Sequence, residues 1–90
     1  MLISDKTLAA LNEQIGNELS AMLQYLAIAA HFECETLPLL AGHFYKQSEE
    51  EKEHAHKFIK FILDTGGRVT IPAIPAPQPH FKFAEDAVKL

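Results

Sequence analysis

No apolar run in this 90-residue sequence approaches the roughly 20 residues that span a bilayer, so no transmembrane helix is expected. The opening residues, Met1-Leu2-Ile3-Ser4-Asp5-Lys6, lack a charged segment followed by an apolar stretch, so no signal peptide is expected either. Cys34 is the single cysteine, which excludes an internal disulfide and argues against a disulfide-stapled secreted scaffold. A reducing, cytoplasmic setting is the resulting expectation. Basic residues are few. Lys and Arg number 8 against 12 Asp and Glu, for a formal charge of −4, and no basic cluster is present to neutralise phosphates. No nucleic-acid partner and no membrane partner are expected. Internal repeats and low-complexity tracts are also missing.

Apolar residues, by contrast, are plentiful at 48% of the chain. A domain of this size buries only roughly 60–65% of its unfolded surface. Surplus apolar surface on a short helical chain therefore predicts a homo-oligomer, at least a dimer.

A first helix is predicted from about Ser4 or Asp5, both good N-caps, to about Cys34. Its seam, Leu8, Leu11, Ile15, Glu18, Met22, Tyr25 and Ala29, follows a seven-residue repeat, as in helices packed at a shallow angle. Glu18 is its only charged member. Glu35-Thr36-Leu37-Pro38 reads as the turn, with Pro38 at the first position of the next helix, where its missing N–H costs nothing. The second helix runs to about Asp64 or Thr65 and stops at Gly66-Gly67. Its predicted seam is Leu40, Phe44, Gln47, Glu51, His54, Phe58 and Phe61. Residues 1–67 thus form an antiparallel helical hairpin. Residues 68–81, rich in proline, read as an extended connector that packs on a surface. Residues 82–90 read as a short C-terminal helical segment, with helix opening at Ala84.

Glu51-x-x-His54 carries the chemistry. Residues three apart share one helix face, so this carboxylate and this imidazole reach one metal ion together. Such a pair suits iron, manganese or zinc better than calcium or magnesium. In a hairpin, residues equidistant from the turn face each other. The midpoint between Glu18 and the Glu51/His54 pair falls on Glu35-Thr36, the predicted turn. The polar interruptions of the two seams therefore lie level, and Glu18 becomes the third candidate ligand. A buried carboxylate needs a partner, and either a metal ion or a Glu–His hydrogen bond would supply one. Gln47, one turn from Glu51, is a candidate neighbour of the site. His31, His43, His56 and His80 read as surface or boundary residues, and Cys34 as a small apolar filler.

The sequence resembles the first half of a bacterial non-haem ferritin. The resemblance rests on Leu11-Asn12-Glu13-Gln14-Ile15-Gly16-Asn17-Glu18 with Tyr25, on Glu50-Glu51-Lys52-Glu53-His54-Ala55, and on the Gly turn, Pro-rich crossover and Pro79-His80-Phe81-Lys82-Phe83. It implies an all-α, ferritin-like half-bundle that oxidises Fe(II) with O2 or peroxide at a di-iron centre, for iron storage or detoxification. By resemblance, Glu18 and His54 are terminal ligands, Glu51 bridges both irons, Tyr25 stands beside the centre, and Glu50 helps to bind a further iron. Bacterioferritins carry a haem-ligating methionine where this chain has Lys52, which implies no haem.

Ferritin-like di-iron proteins use a Glu from each of two helices and a Glu-x-x-His from each of two others. One hairpin supplies half of that set. Dimerisation into a four-helix bundle would supply the rest, as in short encapsulated ferritins, which this chain resembles in architecture. The alternative expectation is a non-catalytic, truncated ferritin-like helical module.

Overall fold

The computed structural model describes residues 1–79 and 81. Helix α1 spans Asp5–Cys34 and helix α2 spans Pro38–Asp64, antiparallel across a short turn. Neither is long and apolar enough to cross a membrane. The C-terminal helix expected over residues 82–90 lies outside the described residues, as does His80.

The helix ends follow local chemistry. The Ser4 hydroxyl accepts the Thr7 backbone N–H at 3.1 Å, which satisfies one orphan donor of α1, and Asp5 sits favourably in the first turn. Pro38 opens α2, whose N-cap residue, Leu37, provides no side-chain cap. Both helices close with the same pair of backbone hydrogen bonds. Leu37 N–H reaches Phe32 C=O at 2.8 Å and Thr36 N–H reaches Glu33 C=O at 3.1 Å, while Gly67 reaches Ile62 at 3.0 Å and Gly66 reaches Leu63 at 3.1 Å. This closure needs a left-handed residue. Gly66 supplies it on α2 at φ 81°, but on α1 the residue is Thr36 at φ 57°. A β-branched side chain is strained there by roughly 1–2 kcal/mol, part of which glycine would return as greater unfolded-state freedom. Thr36→Gly is therefore expected to stabilise the chain by up to about 1 kcal/mol, read as a higher urea midpoint at unchanged slope.

The buried core concentrates at the turn end of the hairpin. Ile28, Ala29 and Phe32 of α1 meet Ala41 and Phe44 of α2, and Phe81 closes the cluster. Phe32 and Phe44 stack with centroids 5.6 Å apart, and Tyr25 packs on Phe44 at 6.0 Å. Further along, Ser48 is buried and donates to the Met22 carbonyl at 2.9 Å.

All seven members of the expected α1 seam are buried or half-buried, but the buried residues of α1 also include Gly16, Ile28 and Phe32, which lie outside it. The expected α2 seam is rotated. Leu40 and Phe61 are 39% and 49% exposed, and the stripe against α1 is instead Ala41, Phe44, Ser48, Glu51, Ala55, Phe58 and Ile62. Small residues at three of these positions let the helices approach closely, so the bulkier neighbours turn to the flank. Cys34 is likewise exposed rather than a filler.

The extended connector lies along α1 and is held by side-chain amides. Asn12 donates to the Arg68 carbonyl at 3.1 Å and accepts from Thr70 N–H at 2.9 Å. Gln24 makes the same paired contact with the Gln78 backbone, at 3.2 and 2.9 Å. Between these clamps Pro72 sits against Gly16, where an added Cβ would lie 2.4 Å from the proline ring. Glycine at 16 thus gives up helix propensity for a close approach. The chain measures 49 × 19 × 15 Å, so each helix buries a limited stripe and α2 keeps an open flank.

Candidate metal centre

Glu18 leaves α1 near its middle, and Glu51 and His54 leave α2 one turn apart, at the same level of the hairpin. One ligand atom from each of the three lies within 4.8 Å of the other two. His54 Nδ1 stands 3.6 Å from Glu18 Oε2 and 3.6 Å from Glu51 Oε2. The carboxylates are largely covered, with side-chain exposures of 15% for Glu18 and 19% for Glu51, whereas His54 is 51% exposed. The rotation of the α2 stripe explains this difference. Glu51 belongs to the stripe packed on α1, and His54 forms the open edge of the cluster.

Two carboxylates this close do not both ionise easily. Contact with Glu18, together with burial, raises the Glu51 carboxyl above its ordinary value of 4.5. The hydrogen bond from Glu51 lowers Glu18 below that value, against the opposing effect of burial and with help from Gln14 and His54. The two shifts are opposite in direction: Glu51 holds its proton more tightly than an isolated carboxyl does, and Glu18 less tightly. A divalent cation drawn by two carboxylates and an imidazole would take the place of the Glu51 proton. This donor set matches iron, manganese or zinc.

Among the described residues this is the only grouping of three or more His, Cys, Asp or Glu side chains with metal-binding geometry. Tyr25 and Glu50 are not in it. Tyr25 is half-buried with its ring on Phe44, and Glu50 is half-buried on α2 beside Glu51. Gln47 is half-buried on the same helix. The side-chain amide that meets the cluster is Gln14, whose Nε2 donates to Glu18 Oε1 at 2.9 Å. It lies four residues before Glu18, on the same helix face, a spacing too common on helices to single it out in the sequence. His31 is a boundary residue, edge-on to Phe32 and Phe81, and His43 and His56 are exposed.

Comparison with known proteins supplies the family. The ferritin-like domain model matches residues 8–90. Ferritin BfrB of Mycobacterium tuberculosis is 43% identical over 82 residues, covering 91% of this chain and 45% of that protein. Chloroplastic ferritin-1 of Brassica napus is 39% identical over 84 residues, covering 91% of this chain and 33% of that protein. A closed form of the Archaeoglobus fulgidus ferritin, engineered by site-directed mutagenesis, superposes with a TM-score of 0.91 at 32% identity. That match covers 97% of this chain and 53% of the archaeal one. The chain therefore spans less than half the length of the curated relatives it matches. The protein belongs to the ferritin-like family, and its two packed helices carry that family's all-α fold.

Proposed function

We propose that this chain takes Fe(II) as its substrate and oxidises it to Fe(III) in the service of iron storage or detoxification. One observation carries the reading: two carboxylates and an imidazole from two facing helices converge, with one ligand atom of each within 4.8 Å of the others. Glu18 and His54 would act as terminal ligands and Glu51 as the bridge. A second copy of the chain, related by a two-fold axis, would bring the same three side chains to the opposite side and complete a paired-iron site within a four-helix bundle. The open flank of α2, with Leu40, His54 and Phe61 exposed, supports such a partner.

Each Fe(II) gives up one electron. Two irons together reduce O2 with two protons to hydrogen peroxide, or hydrogen peroxide with two protons to two waters. The protein's part is to hold the two irons at a fixed spacing and to keep water from the packed side of the site. Tyr25, two helical turns from Glu18 at the edge of the aromatic core, would stand beside the centre. Glu50 would help to bind a further iron. The site is proposed to work without haem, in the cytoplasm.

A second reading rests on the chain's length relative to its relatives: a helical module that assembles through its apolar flank without turnover. Oxygen consumption after anaerobic loading with Fe(II), measured beside the native mass, separates the two. The first reading predicts an even-numbered assembly that consumes oxygen in proportion to iron. An assembly of any size that leaves Fe(II) unbound and unoxidised contradicts it.

A further inference from the structure

We propose that Gln14 is a positioning residue of this centre, fixing which oxygen of Glu18 is presented to the metal. The inference rests on the reading of Glu18, Glu51 and His54 as metal ligands. A carboxylate has two oxygens and is free to turn about its terminal bond. In this chain the two are divided. Oε1 accepts the Gln14 amide at 2.9 Å, and Oε2 faces His54 Nδ1 at 3.6 Å.

The amide that holds Oε1 is itself oriented, because Asn17 Nδ2 donates to Gln14 Oε1 at 3.3 Å. With its oxygen engaged by Asn17, Gln14 turns its N–H toward Glu18. Only that orientation works, since an ionised carboxylate accepts and never donates. Similar pairs four residues apart are common on exposed helix faces, where they add slightly to helix stability. Here the acceptor is 15% exposed and belongs to the ligand cluster, so the bond fixes a group that must meet a metal. Charge-assisted bonds of this kind are roughly twice as strong as neutral ones.

Without Gln14, Glu18 would rotate among several presentations, and metal binding would have to order it. Partners one step removed from a metal are worth roughly 10- to 100-fold in affinity. Gln14→Met keeps the length of the side chain and removes the donor. Gln14→Ala does so with the best helix former, so the helix is preserved by propensity.

The test is Co(II) binding to the full chain by calorimetry and visible absorption, with thermal midpoints read on the same metal-free samples. Both variants are expected to raise the Co(II) Kd about tenfold or more and to change the Co(II) absorption band, with the metal-free midpoint little altered. A wild-type Kd and band in both variants overturns the inference. So does a lowered midpoint with the Kd unchanged, which marks Gln14 as a packing residue. Glu51→Gln is measured in parallel. If it too leaves Co(II) binding unchanged, the metal-site reading itself fails. If it loses binding while the Gln14 variants do not, only the positioning role fails.

Discussion

Glu51→Gln is expected to abolish Fe(II) oxidation and, in the same molecule, to stabilise the metal-free chain at neutral pH. The loss follows from the geometry. Glu51 is the proposed ligand packed between the helices, and an amide in its place carries no charge to attract a cation. Removing a direct ligand should cost more than the roughly 10- to 100-fold attached to outer partners, so Fe(II) affinity should fall by more than about 100-fold.

The gain follows from the direction of the two shifts. Glu51 has a raised pKa, so the folded chain binds that proton more tightly than the unfolded chain. Its contribution to stability is full at acid pH and is lost as pH rises from the ordinary value of 4.5 through the raised one. Glu18 is lowered and behaves oppositely, contributing stability above the ordinary range and losing it as pH falls through its lowered value. Glutamine at 51 mimics the protonated form at every pH. The gain should therefore be largest above the raised pKa and shrink as pH falls toward 4.5, within about 1 kcal/mol overall. Thermal midpoints of both proteins across pH 4 to 8 check the sign. A variant less stable than wild type at neutral pH would contradict the raised pKa of Glu51.

Phe32→Ala is expected to cost about 3–5 kcal/mol, close to the whole stability of so short a chain. Phe32 is fully buried, stacks on Phe44 at 5.6 Å, and lies in the cluster that Phe81 closes. Truncation there loses both the transfer energy of the ring and a cavity term. Phe61→Ala makes the informative contrast. Phe61 is 49% exposed on the hairpin, so in the isolated chain its loss should cost less than about 1 kcal/mol. Any additional cost that grows with protein concentration measures burial of that flank against another copy. Urea unfolding at several protein concentrations distinguishes the two residues.

Much of this was legible in the sequence because it is local. Ser4, Pro38 and Gly66 mark helix ends through backbone chemistry that acts within one turn. The level of Glu18 with Glu51 and His54 followed from hairpin geometry and the position of the turn alone. The rotation of the α2 stripe was not legible. Phe44, Glu51 and Phe58 fit both stripes, and the choice between Leu40 with Phe61 and Ala41 with Ile62 depends on how closely the helices approach. Hydrophobicity pointed to the bulkier set, and packing selected the smaller one. The grip of Asn12 and Gln24 on the connector was hidden for another reason. Each pairs with backbone more than 50 residues away, and backbone hydrogen bonding leaves no trace in the partner's side-chain type. Gln14 was visible as a residue but not as a participant, because a glutamine one turn before a glutamate is ordinary on any helix.

Glu18, Glu51 and His54 are proposed to form half of a paired-iron site. Anomalous scattering at the iron edge, from crystals of this chain soaked anaerobically in Fe(II), tests this most directly. The account predicts one iron per chain, bound by Glu18, Glu51 and His54, and facing a symmetry-related iron across a two-fold axis. An iron-loaded crystal with no anomalous peak at those three side chains, or with a single isolated iron and no two-fold mate, would contradict it.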